Sequence, residues 1–120
     1  MYDAIIELLR SGAAEAALQA AREAAEANPD DPQAHRLLSA ALRLARRPAE
    51  ALESIDRAIA LEPEDSGLHL ERGLVLLGTG DAAKAGKAFS TSVGLDPNLV
   101  AGYVVQGQLA LAGGDLEGAR

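Results

Sequence analysis

The sequence has no cysteine and no tryptophan, and aromatic residues make up only 2% of it. Without cysteine there is neither a disulfide framework nor a thiolate zinc site, and the redox compartment leaves no mark. Few aromatics beside abundant alanine argue against a β-sandwich built on large rings and for helices packed through small side chains. Basic residues are outnumbered: 11 Lys and Arg stand against 18 Asp and Glu, a formal charge of −7. That field repels phosphate backbones and anionic lipid, so nucleic acid and membrane surfaces are not expected partners. No apolar run approaches the roughly 18–20 residues that span a bilayer. The opening stretch MYDAIIELLRSG also lacks the basic start, long apolar core and small-residue cleavage site of a signal peptide. A cytoplasmic location is therefore expected, with the periplasm or secretion open to a longer parent that carries a signal.

What is present is a rhythm. Pro29, Pro63 and Pro97 stand 34 residues apart, in the near-copies EANPD, ALEPE and GLDPN, and a fixed period of about 20–50 residues is the mark of a repeat architecture. Aligning on the prolines places Ala17, Ala51, Ala85 and Ala119 in one column. Gly12, Gly80 and Gly114 fall in another, with Arg46 as its exception, and Asp81 and Asp115 follow two of those glycines. Each unit thus has two turns, one at the glycine column and one at the proline. One unit reads helix, turn, helix, turn.

The start and stop signals place helices at about 3–10, 13–27, 32–45, 48–61, 66–78, 82–95 and 100–112, with a last one starting at Asp115. Asp31, Asp81 and Asp115 can accept from the free N–H groups of a first turn, Pro32 suits the first helical position, and glycine supplies the left-handed residue that ends a helix. The 48% hydrophobic content is enough to bury a core. We expect one all-α domain over 1–120 in units of about 1–31, 32–65, 66–99 and an incomplete 100–120, cut from a longer protein.

These columns closely resemble the tetratricopeptide repeat (TPR), whose 34-residue unit runs W-x2-L-G-x2-Y, then A-x3-F, then P. From 66, the slots hold His69, Arg72, Gly73, Leu76, Ala85, Phe89 and Pro97; from 32, His35, Leu38, Ser39, Leu42, Ala51, Ile55 and Pro63. From 100 they hold Tyr103, Gln106, Gly107, Ala110 and Ala119, while Ala17, Ala21 and Pro29 close a first unit. Arg72 and Gln106 depart from the pattern, standing where an apolar residue is usual. The resemblance implies a right-handed α-solenoid of antiparallel helix pairs in which glycine or serine on one helix and alanine on the other allow close crossing.

Several stretches imitate catalytic or cofactor chemistry. LVLLGTGDAA sets Gly78, Gly80 and Ala83 in the spacing of a dinucleotide fingerprint, with Asp96 18 residues beyond Gly78. The repeat accounts for each part, since Gly80-Asp81 matches Gly114-Asp115 and Asp96 matches Glu62 and Asn28. His35 and His69 lie one repeat apart and read as packing residues rather than metal ligands. No serine has a triad partner at a suggestive spacing. Arg46 and Arg47, in RLARRP, read as complements to a helix C-terminus. Asp30, Asp31, Glu62, Glu64, Asp65 and Asp96 gather at inter-unit turns without a calcium-loop pattern, and read as caps and solvated turn residues. No cofactor, metal or catalytic residue is expected, and the chain is read as no enzyme.

In the family, the first helix of each pair lines a concave groove that holds a peptide or helix of a partner. The resemblance therefore implies a protein–protein interaction scaffold, and the face turned away from the pattern residues recurs at i, i+4, i+7. That arc comprises Tyr2, Ile6 and Leu9; Arg36, Ala40 and Arg43; Leu70, Leu74 and Leu77; and Val104, Gln108 and Leu111. The expected groove is apolar, with Arg36 and Arg43 matched to a carboxylate of the bound segment. The lysine–asparagine clamp by which some relatives take a chaperone's C-terminal carboxylate has mostly apolar residues in its place here. The alternative is that the chain forms a non-catalytic arm of a larger enzyme such as a transferase. The final unit carries Val104, Val105, Leu109 and Leu111 against only DLEGAR, so self-association through about 100–120 is a further expectation.

Overall fold

The computed structural model describes residues 2–98, and among these there are helices and turns with no strand. In chain order the helices are α1 (Asp3–Arg10), α2 (Ala14–Ala27), α3 (Pro32–Leu44), α4 (Pro48–Leu61), α5 (Ser66–Thr79) and α6 (Ala82–Leu95). The expected bounds agree to within one residue. The helices expected at 100–112 and from Asp115, the incomplete unit and its self-association lie outside the described residues.

The boundaries have the expected causes. The Asp31 carboxylate accepts from Gln33 N at 3.0 Å, Asp65 from Gly67 N at 2.9 Å and Asp81 from Lys84 N at 3.0 Å, and each replaces a partner that a first-turn amide lacks. Gly12 and Gly80 take φ of +81° and +87°, the left-handed turn that lets the next helix fold back. Arg46 adopts the same conformation at +64° despite its Cβ. Arg47 departs from the expectation at this turn. It is the residue that opens α4, and its guanidinium pairs with Glu50 at 2.8 Å rather than with the end of α3.

Helices pair as α1 with α2, α3 with α4 and α5 with α6; α2 then packs on α3, and α4 on α5. The first helices also touch their counterparts, α1 against α3 and α3 against α5, and so form one wall along the stack. The seam within each pair is made of the small-residue columns. Ala17, Ala51 and Ala85 are buried, as are Ala21, Ile55 and Phe89 four residues on. Opposite them, Ser39 donates to the Ala51 carbonyl at 3.0 Å, whereas Gly73 leaves its place to the Phe89 ring.

The prolines answer to the histidines. His35 Nε2–H donates to the Pro29 carbonyl at 2.7 Å and His69 Nε2–H to the Pro63 carbonyl at 2.8 Å. Each inter-unit turn is thereby tied to the helix that follows it, and the carbonyl acceptor fixes which ring nitrogen carries hydrogen. Replacing Ala51 or Ala85 by leucine is expected to overpack the seam, cost about 1–3 kcal/mol and lower the melting temperature. Unchanged melting of both variants would mean that the columns do not mark helix crossings.

Candidate functional site

The wall of first helices carries an open cleft of about 500 Å³. From α1 it takes Ile6, Leu9 and Arg10, at helical spacing; from α3 it takes one face, Gln33, Arg36, Leu37, Ala40, Arg43 and Leu44; from α5 it takes Glu71. The floor is apolar and wet: Ile6 and Leu44 are 41% and 38% exposed, high for large aliphatic side chains. Arg10 and Arg36 stand in the cleft wall. Arg10 pairs with Glu7 on its own helix at 3.4 Å, while Arg36 donates to the neutral Gln33 amide oxygen, also at 3.4 Å. Arg36 thus makes no ion pair among the described residues, and its guanidinium lies beside Gly67, near the Asp65 carboxylate at the start of α5.

Arg43 differs. Its Nε donates to Glu71 Oε2 at 2.9 Å and its Nη2 to Oε1 at 3.2 Å, a two-pronged pair across α3 and α5. The Glu71 side chain is only 7% exposed, the Arg43 side chain 37%. The sequence expectation that Arg43 is free to meet a partner's carboxylate is therefore corrected, because its main donors are committed to Glu71. A second opening of about 510 Å³ lies beyond it, lined by Arg43, Leu44, Arg46, Pro48 and Gly78. Arg43 and Leu44 belong to both openings.

Of the expected groove residues, Ile6, Leu9, Arg36, Ala40 and Arg43 come together in the first cleft. Leu70 is a correction: it is buried with Leu76, Ala85, Ala88 and Phe89, since a leucine in this slot gains by folding onto the α5–α6 seam where an arginine cannot. Leu74 and Leu77 are half-buried and pack on that same cluster. Tyr2 stands at the start of α1, where its hydroxyl donates to the Asp31 carboxylate and ties the first unit to the second. That hydrogen bond, with burial and the nearby negative charge, raises the phenol above its ordinary value, so Tyr2 stays protonated at neutral pH. Val104, Gln108 and Leu111 lie outside the described residues.

The other imitations of chemistry dissolve. Gly78 is inside α5, and the Asp81 carboxylate occupies the start of α6 where a pyrophosphate would have to sit. Arg72, in the unusual polar slot, pairs with Asp56 at 2.8 Å. Among the described residues there is no cluster of metal-ligating side chains, and no helix is long and apolar enough to cross a membrane.

The family model "Tetratricopeptide repeat" matches residues 2–65 and again 45–100. Among solved structures, a MamA chain from Desulfovibrio magneticus RS-1 is similar with a TM-score of 0.73 at 24% identity, over 80% of this chain and 54% of that one. The first TPR domain of human RPAP3 gives a TM-score of 0.74 at 19% identity, over 80% of this chain and 76% of that one. A MamA chain from MSR-1 gives 0.69 at 24%, over 78% and 53%. The chain spans about half the length of the MamA chains it matches. No curated protein matches it significantly. At such identities the structures testify to the fold, but the two overlapping family matches run from residue 2 to residue 100, and the chain belongs to the tetratricopeptide repeat family.

Proposed function

We propose that the protein is a scaffold that binds a partner protein by holding an apolar, carboxylate-bearing segment in the cleft between α1 and α3. The observation that carries this reading is the cleft itself: exposed Ile6 and Leu44 on its floor beside Arg36, a cation that makes no ion pair among the described residues. Water-exposed aliphatic floor is what a docked segment covers with gain, and a lone guanidinium selects the sign of what docks. TPR proteins commonly serve as interaction scaffolds, which agrees with this role. Neither catalysis nor a cofactor enters the reading, and His35 and His69 are engaged with proline carbonyls. The charge of −7 disfavours nucleic acid and anionic membrane as the occupant.

The test is capture of partners from lysate on the immobilised protein, identified by mass spectrometry and then measured against two variants. Arg36→Glu is expected to weaken the partner about tenfold or more, by reversing the charge that the segment meets. Glu53→Lys, on an exposed position of α4, is expected to leave the affinity within about twofold. Equal loss in the two variants would remove the cleft as the binding site.

A further inference from the structure

We infer that the cleft continues past Arg43 into a carboxylate subsite built on Arg46, so that the bound segment is acidic as well as apolar and its acid is held at the turn between α3 and α4. The inference rests on the groove reading above and specifies it.

Its starting point is a residue in the wrong conformation. Arg46 occupies the column of Gly12 and Gly80 and shares their positive φ, +64° against +81° and +87°. A Cβ makes that region unfavourable, and glycine enters it freely. The turn itself gives no reason for arginine. Arg46 N donates to the Arg43 carbonyl at 3.0 Å and Arg47 N to Leu42 at 2.8 Å; at the glycine turn, Gly80 N donates to Leu77 at 3.1 Å and Asp81 N to Leu76 at 3.0 Å. The two turns have the same hydrogen bonds, and glycine makes one of them without strain. What arginine adds is its side chain, and a non-glycine residue held at positive φ points to a role for that side chain.

The surroundings say what that side chain meets. Arg46 is exposed and has no ion-pair partner among the described residues. It lines the second opening with Arg43, Leu44, Pro48 and Gly78, a wall with two guanidiniums and no carboxylate. In a chain with 18 acids against 11 bases, such a wall concentrates positive charge where the overall field is negative. Arg43 has already given Nε and Nη2 to Glu71, so Arg46 is the open fork of the pair. Since Arg43 and Leu44 belong to both openings, one extended segment can lay apolar side chains on Ile6 and Leu44 and an Asp or Glu on Arg46.

The experiment selects random dodecapeptides displayed on phage against the whole chain at low ionic strength, then measures synthetic copies by calorimetry. Selected sequences are expected to combine aliphatic residues with Asp or Glu. Arg46→Gly should weaken them about tenfold, as loss of one charge-assisted contact does, while its melting temperature stays level or rises because the strain is gone. Arg46→Lys keeps the charge and should retain most of the affinity. Ala40→Glu, which fills the first cleft with a negative charge, should abolish binding. Peptides that are lost with Ala40→Glu yet indifferent to Arg46→Gly would overturn the subsite and leave the groove standing. Peptides without acidic residues would overturn it too. Peptides indifferent to both variants, or no selected peptide at all, would remove the groove and the subsite together.

Discussion

Phe89→Ala is expected to cost about 3–5 kcal/mol, the range for emptying a fully buried aromatic site, and to unfold the last described helix pair first. The ring is wholly buried on α6 and fills the space that Gly73 leaves on α5. A methyl group added at Gly73 would stand 2.5 Å from Phe89 Cε1, 2.7 Å from Cδ1 and 2.8 Å from Cζ, inside any tolerable contact. Gly73→Ala therefore opposes two effects: about 1 kcal/mol of helix propensity gained and about 1–3 kcal/mol of overpacking lost. A net loss of up to about 2 kcal/mol is expected, at its largest if the ring cannot yield. The double variant Gly73→Ala/Phe89→Leu separates the causes, since the smaller leucine makes room for the methyl group. Its loss should be at least about 1 kcal/mol less than the sum of its parts, because the two residues share one space. Urea unfolding measures all four members of the cycle; additive losses would show that the ring and the glycine do not compete.

Phe89 and Gly73 also show what a repeat makes legible. Both lie in columns fixed by the prolines; the pattern set glycine against alanine, and it is the structure that puts the Phe89 ring in the space at Gly73, while the helix bounds follow from the same register with carboxylate caps and left-handed turns. The cleft was legible in part. Its α1 and α3 residues follow from helical spacing, but Leu44 falls outside an arc that stops at i+7, since the face runs one residue further, to i+8 from Arg36. Leu70 was misassigned because equal slots were given equal exposure, while Arg36 and Leu70 differ in whether burial is favourable. Glu71 left no local sign, being 28 residues from Arg43 in sequence. A periodic sign exists all the same: Arg22 on α2 meets Glu50 on α4 at 3.5 Å across the same separation. In both pairs a basic residue late in one helix reaches an acid on the corresponding helix of the next unit, six residues short of a full period. Backbone strain at Arg46 could be read as an exception to the glycine column, but its cause needed the opening around it.

The Arg43–Glu71 pair is expected to behave as a lock between units, with unequal effects from its two halves. Arg43→Ala strips a carboxylate with 7% of its side chain exposed of both hydrogen bonds and of its counter-charge. Leaving a buried charge unpaired costs about 3–5 kcal/mol; because Arg43 is itself 37% exposed and the site is screened accordingly, about 2 kcal/mol is expected here. Glu71→Leu removes the charge that suffers and frees the guanidinium to extend into the wet cleft, so about 0.5–1 kcal/mol or less is expected. Arg43→Leu/Glu71→Leu should then be no worse than Arg43→Ala, since two apolar side chains can replace a pair whose desolvation offsets its attraction. Thermal and urea unfolding give the stabilities. A loss from Glu71→Leu equal to that from Arg43→Ala would mean that the acid supports the stack in some way other than as Arg43's partner. The same cycle bears on the cleft, because Arg43 stands in the wall of both openings. With Glu71 in place it is held against α5, where the two openings share Arg43 and Leu44. In Glu71→Leu it becomes a second free cation beside Arg46, and acidic dodecapeptides should bind that variant more tightly, by about threefold or more at low ionic strength.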